Sequence, residues 1–251
     1  MKLRFINPKH YYQEFLKFIN YILNPTYIES SNTTVLHNMK GTWNVFVIKI
    51  VLTIIIGALV TLLIDPVNQR TIRWIELYST GTIFLLSIII LPLLEEVSFR
   101  LSFRFNPVYL ALTLGVLAYY GVTKIGYQTN LSNTEIHFNV RVLISVITIL
   151  TSYMLVSQTN IKNQLDKFWK VHFKWIFYFF CITFAWMHIL NYELNLKHLL
   201  LLPLITLPKL VSAITYGYIR MHYGFIYSLG LHMCWNGMGF MMSLFSFGGA
   251  D

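Results

Sequence analysis

Apolar residues occur along the chain in long runs separated by short polar segments. An α-helix needs about 20 mostly apolar residues to cross a bilayer, and several of these runs reach that length only with flanking Tyr, Trp, Lys or Ser residues. The pattern predicts an all-α protein, a polytopic transmembrane helix bundle of about seven spans, with six to eight as the range. The seven apolar runs are 45–64, 81–94, 108–122, 142–156, 176–190, 199–216 and 225–247.

Composition and charge agree with a membrane protein. Hydrophobic residues make up 56% of the chain and charged residues 12%, against about 25% charged residues in globular domains. The net charge of +9 has two possible explanations, nucleic-acid binding or attraction to a membrane surface. If the N-terminus is cytoplasmic, twelve Lys and Arg residues fall on the inner side and five on the outer side. This distribution follows the positive-inside rule and predicts a C-terminus on the opposite side and no nucleic-acid partner.

The first 40 residues differ from the rest of the chain. Phe15, Phe18 and Ile22 recur at helical spacing between polar residues, and Asn24 and Pro25 follow them. This pattern predicts an interfacial amphipathic helix in an N-terminal region, residues 1–40, followed by a transmembrane domain, residues 41–251. Because no apolar segment follows the first basic residues, we expect no cleavable signal peptide.

A polar segment and three prolines interrupt the apolar runs of the transmembrane domain. The segment 158–174 carries four lysines and one aspartate, and its polarity predicts a long cytoplasmic loop. Pro92 lies in the second apolar run, and Pro203 and Pro208 lie in the sixth. Each proline removes a backbone donor, so we expect kinks or breaks there, and such breaks commonly line cavities.

Adjacent carboxylates, Glu95 and Glu96, end the second apolar run. A charge inside a span costs on the order of 3 kcal/mol, so two in succession need compensation or a function. Arg100 lies four residues after Glu96 on the same helical face, which predicts an ion pair. Glu95 lacks such a partner in its own helix and is the better candidate for proton chemistry. Alternatively, this segment is simply the cytoplasmic end of a span, with its charges among the lipid headgroups.

Polar residues in two later runs are further candidates. Phe184 and His188 lie four residues apart in the fifth run, and His232 and Asn236 lie four apart in the seventh. Residues at this spacing share a helical face. His188 alone is also consistent with a hydrogen-bonded core histidine. The pair His232 and Asn236 is also consistent with a polar contact that holds two membrane helices together.

The ordered pattern Glu-Glu-x-x-x-Arg, Phe-x-x-x-His and His-x-x-x-Asn resembles the three motifs of the CAAX prenyl protease and bacteriocin-processing (CPBP, or Abi-type) family of intramembrane proteases. The resemblance covers residues 84–247. It implies a helical membrane endopeptidase that hydrolyses a peptide bond of a peptide or membrane-protein substrate. By the resemblance, Glu95 would activate water with help from His188, and His232 and Asn236 would stabilise the oxyanion. Glu96 and Arg100 would brace the site, and Phe184 would support it.

The cofactor and the function class both have alternatives at this stage. Glu95, His188 and His232 provide the three ligands of a catalytic zinc site, although the same residues also serve a metal-free mechanism, which we favour. The competing function is a non-catalytic membrane protein. It would be either a proton-coupled transporter that uses the glutamates and histidines as a relay, or an immunity or scaffold relative of the proteases.

Overall fold

The computed structural model describes residues 8–29, 33–64, 66–68, 74 and 76–247. These residues form helices and no strand. The predicted all-α fold is therefore confirmed, and five helices in the described part of the chain are long and apolar enough to cross a membrane, while the count of about seven spans stays a prediction. The five helices are Val35–Leu63, Thr80–Phe103, Pro107–Gly126, Phe138–Val156 and Thr159–Asn191. Four of the basic residues used to orient the chain, Lys2, Arg4, Arg70 and Arg73, lie outside the described residues, as do residues 248–251.

The helices follow one another with short connections and with side-chain caps at several N-termini. Thr34, Ser79 and Asn106 each accept a backbone N–H of the helix that follows, which satisfies an otherwise unpaired donor. We number the helices α1 (Pro8–Leu23), α2 (Val35–Leu63), α3 (Thr80–Phe103), α4 (Pro107–Gly121), α5 (Phe138–Val156), α6 (Thr159–Met187), α7 (Leu196–Leu200), α8 (Leu202–Ile205), α9 (Leu207–His222) and α10 (Phe225–Phe247).

Helix α1 has the predicted amphipathic character and ends at Leu23, directly before Asn24 and Pro25. Its apolar face packs against protein: Phe18 is buried in the main hydrophobic core, and its ring meets the ring of Tyr218 at 5.3 Å between centroids. Because α2 begins at Val35, the proposed boundary between residues 40 and 41 falls inside a helix. The division into two regions stays a prediction, but α1 is part of the packed bundle.

The predicted loop 158–174 is wrong, because helix α6 begins at Thr159 and runs to Met187. Its buried side chains recur at helical spacing, which the lysines between them obscured in the sequence. Trp169 anchors this part of the helix by donating its indole N–H to the Ser102 carbonyl at 2.7 Å. A local departure from helical backbone geometry occurs at His172. The buried stripe consists of Trp169, Phe173, Phe177, Cys181 and Phe184.

The sixth apolar run is not one continuous helix, because it divides into α7, α8 and α9. Leu201 and Thr206 separate the three helices, and Pro203 and Pro208 occupy the first turns of α8 and α9. Proline is well tolerated in a first turn because its missing N–H would have had no partner there. The predicted breaks are therefore confirmed. The seventh run does form one continuous helix, α10.

Helix α9 is the centre of the bundle. It approaches α6 closely at Gly217, where an added Cβ would lie 2.7 Å from Phe177 Cε2. Its C-terminal Arg220 donates to the carbonyls of Arg100 and Leu101 at 3.1 and 2.9 Å, which satisfies acceptors at the end of α3. Gly224, with φ of 110°, then provides the turn into α10. These contacts hold α3, α9 and α10 together around the polar residues.

Candidate functional site

Helix α3 presents its two glutamates after a segment of wider helical turns. Leu85–Ile90 is a π-helix, and the Leu91 N–H bonds to the Leu86 carbonyl instead of the Ser87 carbonyl. Pro92 has no N–H, so it cannot bond to Ser87 either. The amide of Asn236 on α10 donates to this carbonyl at 2.9 Å. A π-turn and a proline thus create an acceptor in α3 that α10 satisfies, and π-turns are frequent at functional sites.

Glu96 is the centre of a buried polar network. The Ser228 hydroxyl donates to Glu96 Oε2 at 2.6 Å, and His232 Nδ1 lies 2.9 Å from Oε1. Arg100 lies four residues later in α3, and its guanidinium is 3.3 Å from Oε1. The predicted ion pair between Glu96 and Arg100 is therefore confirmed. Both side chains are 0% exposed, so the pair lies inside the protein and not among lipid headgroups.

Aromatic rings provide the rest of the surroundings of Arg100. Its guanidinium carbon lies 3.8 Å from the centroid of the Phe184 ring and 5.6 Å from that of Tyr216. Among the described residues, none of its three side-chain nitrogens has a hydrogen-bond partner of good geometry. The charge is therefore held by the carboxylate of Glu96 and by ring faces, which attract cations. The Phe184 ring thus packs directly against Arg100, and its supporting role stays a prediction.

His232 lies between the two glutamates. Its Nδ1 faces Glu96, and its Nε2 lies 3.5 Å from Oε2 of Glu95. Since a carboxylate only accepts, Nδ1 carries the hydrogen in the contact with Glu96. The ring of Tyr216 stacks on the imidazole at 4.5 Å between centroids. Glu96 and Tyr216 thus fix the orientation of the ring and direct Nε2 towards Glu95.

His188 comes directly after the last α-helical residue of α6, in the short 3₁₀ segment His188–Asn191. Its Nδ1 lies 2.7 Å from the Phe184 carbonyl, which can only accept a hydrogen bond. Nδ1 therefore carries the hydrogen, and Nε2 is the basic nitrogen of the ring. The ring of His188 also contacts the ring of Phe184 at 4.7 Å. Helix α6 thereby places both residues of the Phe-x-x-x-His motif at the site.

Two adjoining pockets share several lining residues, and we call them the two lobes of the candidate cavity. The larger lobe has a volume of about 460 Å³ and the smaller about 170 Å³. Glu95 and His188 are among the residues that line both lobes. The larger lobe is also lined by His232 and Asn236. Four of the residues selected from the sequence therefore line one lobe, while Glu96 and Arg100 are fully buried and do not line it.

The predicted zinc ligands do not form a metal site as placed. Within the described part of the chain, no group of three or more His, Cys, Asp or Glu side chains is arranged to hold a metal ion. Glu95 and His232 contact each other directly at 3.5 Å, and the second nitrogen of His232 is committed to Glu96. Because no third side chain of these types completes a metal-binding group with this pair in the described part of the chain, we derive no step through a metal.

Two residues of the site escaped the sequence reasoning. Ser228 precedes His232 by four residues and Asn236 by eight, so the three form one polar stripe on an otherwise apolar helix. That spacing was a usable signal. Tyr216, by contrast, gave no sequence signal, because a tyrosine in an apolar run indicates no function until the helix that it faces is known.

Comparison with known proteins adds no assignment. No protein-family model, no curated protein and no solved structure matches this chain.

Proposed function

We propose that this chain is an intramembrane endopeptidase that resembles the CAAX prenyl protease and bacteriocin-processing family. In this proposal the chain crosses the membrane about seven times, with a cytoplasmic N-terminus and a C-terminus on the opposite side. A peptide or membrane-protein segment reaches the cavity and one of its peptide bonds is hydrolysed. The observation that carries the proposal is that Glu95, His188, His232 and Asn236 all line the larger lobe.

Glu95 is the proposed general base. Its carboxylate is 15% exposed and borders both lobes, whereas Glu96 is fully enclosed by Arg100, Ser228 and His232. Glu95 takes a proton from a water molecule as the water oxygen bonds to the scissile carbonyl carbon. The same carboxyl group then returns the proton to the leaving nitrogen as the C–N bond breaks. Such proton transfer contributes about a hundredfold to ten-thousandfold in rate, and His188 would help to hold the water.

His232 and Asn236 are the proposed oxyanion donors. In this role His232 keeps its Nδ1–H on Glu96 and donates through Nε2, which lies on the side of Glu95. The Asn236 amide has two hydrogens, of which one bonds to the Ser87 carbonyl. The second hydrogen is the proposed donor. Fixed donors in a cavity poor in water act strongly on a developing negative charge.

A proton-coupled transporter is the second candidate, and one contact favours it. His232 lies within 3.5 Å of one carboxylate and 2.9 Å of another, so it could pass a proton between them. Ionisable groups inside membrane proteins often mark proton paths. In this alternative Glu95 would still be essential, but to proton flux and not to peptide hydrolysis.

The test is Glu95→Gln, which keeps the shape of the side chain and removes the base. Membranes from cells that produce wild type and variant would be compared by mass spectrometry of newly formed protein termini, and the cleavage repeated with purified protein in liposomes. We expect the wild type to generate termini that the variant does not, with at least a hundredfold lower cleavage rate. Glu193→Gln, an exposed change of the same kind, should cleave normally.

Two results would contradict the proposal. One is cleavage by Glu95→Gln at the wild-type rate, which removes Glu95 as the base. The other is an absence of cleavage by wild type together with proton uptake, followed by a pH-sensitive dye inside the liposomes, that is lost in Glu95→Gln. The second result would establish the transporter.

A further inference from the structure

Both lobes of the cavity lie towards the same end of the helix bundle. The smaller lobe is lined by Asn130 and Ser132 from the connection between α4 and α5, and by Asn191, which follows α6. The Ser132 hydroxyl lies 2.9 Å from that of Tyr78, which precedes α3, so these connections meet. The cavity therefore reaches the end of the bundle at which α3 and α5 begin and α4 and α6 end. We call this the cavity end, and its connections are residues 76–79, 122–137 and 188–206.

The larger lobe follows three helices from the candidate site towards the cavity end. Along α3 its lining residues run from Glu95 back to Thr80, which is about 22 Å of helix. Along α10 they run from His232 to Leu244, which is about 18 Å. On α9 they lie in the first half of the helix, up to Tyr216. The larger lobe is therefore a passage between the proposed catalytic residues and the cavity end.

A layer of buried aromatic rings lies on the other side of the site. Phe103 of α3 and Phe177 of α6 are both 0% exposed, and their ring centroids are 5.3 Å apart. Tyr218 of α9 and Phe18 of α1 continue the layer, also with 5.3 Å between centroids. On its helix, each ring of α3, α6 and α9 lies further from the cavity end than the residues that line the lobes. None of the four lines either lobe, so this layer separates the site from the opposite end of the bundle.

Charge distinguishes the cavity end from the opposite end. In the described part of the chain, the connections of the cavity end carry two lysines and three glutamates: Lys124, Lys197, Glu76, Glu135 and Glu193. Asp65, Arg70 and Arg73, which lie between α2 and α3 in the sequence, bring the two signs to balance. The segment 158–174, which Trp169 joins to Ser102 near the other end of α3, carries four lysines and one aspartate. The positive-inside rule therefore predicts that 158–174 is cytoplasmic and that the cavity end faces the opposite side.

We propose that the cavity takes its substrate from the side of the membrane opposite the cytoplasm. The cleaved peptide bond then belongs to a polypeptide that has already crossed the membrane, either a free chain or the outer flank of a membrane protein. A cytoplasmic chain would instead meet the end that the aromatic layer separates from the site. Trp74 and Tyr78, which line the larger lobe, suit an entrance, since Trp and Tyr are enriched at the boundary between lipid and water. This inference rests on the proposed function, because it assumes that the lobe admits a peptide.

The first test measures which side of the membrane reaches the larger lobe, and it needs no turnover. Cys181 and Cys234 are replaced, and a single cysteine is placed at Gly239 or Asn191, both of which line this lobe. Among the described residues, an added Cβ at Gly239 meets no neighbouring group within 4 Å, so Gly239→Cys should fold normally. A membrane-impermeant thiol reagent would be applied to right-side-out and inside-out membrane vesicles. We expect both cysteines to react in right-side-out vesicles and to lose that labelling in inside-out ones.

Two control cysteines define the cytoplasmic side and the lipid. Lys162→Cys, in the exposed first turn of α6, should react in inside-out vesicles alone. Ile147→Cys, at a 50% exposed apolar position in the middle of α5, should react in neither preparation, because lipid covers it. The second measurement maps the new protein termini that wild type generates and Glu95→Gln does not. We expect them in polypeptide segments that lie outside the cytoplasm.

The outcomes separate this inference from the proposed function. Labelling of Gly239→Cys and Asn191→Cys from the same side as Lys162→Cys would overturn the inference, as would no labelling of either from any side. Labelling of Lys162→Cys in right-side-out vesicles, or Glu95-dependent termini in cytoplasmic segments, would also overturn it. Termini in free exported chains or at the outer flanks of membrane proteins would support it and assign the source. The expected labelling without any Glu95-dependent cleavage would keep the entrance and remove the endopeptidase.

Discussion

The ion pair between Arg100 and Glu96 provides the sharpest test of the buried network. In Arg100→Ala, the Glu96 carboxylate stays fully enclosed and loses a countercharge at 3.3 Å. Removing one partner of a buried ion pair typically costs about 3 to 5 kcal/mol. Glu96 retains Ser228 and His232 as hydrogen-bond donors, so we expect the lower end, about 3 kcal/mol. For a chain of this length that corresponds to a melting temperature lower by about 6 to 12 °C.

The second half of the test is a double-mutant cycle. Glu96→Gln alone should also destabilise the protein, because it leaves the Arg100 cation buried among aromatic rings without a carboxylate. The double variant Arg100→Ala with Glu96→Gln buries neither charge. We therefore expect it to be more stable than the sum of the single losses predicts, by about 2 kcal/mol. Thermal and denaturant unfolding in detergent, followed by circular dichroism, would measure all four proteins.

A matched control uses another buried arginine. Arg141 at the start of α5 is also 0% exposed, but it donates to Tyr119, Thr123 and Asn133 and has none of the Glu96 partners Arg100, Ser228 and His232 among its own. Arg141→Met and Glu96→Gln should therefore be additive within about 0.5 kcal/mol. If Arg100→Ala is as stable as wild type, or if its cycle with Glu96→Gln is equally additive, the ion pair does not stabilise the site and the reasoning fails.

Two further predictions concern the oxyanion donors and the topology. Asn236→Ala should lower the turnover of a cleaved peptide about a hundredfold to a thousandfold with little change in affinity. If Asn236 only joins α10 to α3, the variant should instead lose about 0.6 to 2 kcal/mol of stability, and its activity should follow the folded fraction. For the topology, single cysteines would be placed at Lys167 or Glu193 in a chain whose own Cys181 and Cys234 are replaced. The two should react with an impermeant thiol reagent from opposite sides of the membrane. The reason is that the α6 segment from Lys167 to Met187 spans about 30 Å, the thickness of the hydrocarbon core. Labelling of both positions from one side would remove this span.

The sequence by itself determined the class of fold and several local pairs. Runs of apolar residues must avoid water, and helices satisfy their own backbone groups inside a bilayer, so a helical membrane protein follows from composition and run length. The pairing of Glu96 with Arg100 follows from the fixed geometry of one helix. For the same reason His232 and Asn236 share a face and reach the same cavity. Both of these pairings involve residues about one helix turn apart.

Only the tertiary structure decided how these local pieces combine. The partners of His232 come from α3, far away in the chain, and their pairing depends on how α9 and α10 pack against α3. Helix α6 extends into a segment that looked like a loop, because its buried face is matched to side chains of other helices. The carboxylate left at the cavity is Glu95, since Glu96 is the one that meets Ser228 and His232. Periodicity gives each residue a direction on its own helix, but only packing determines what lies in that direction.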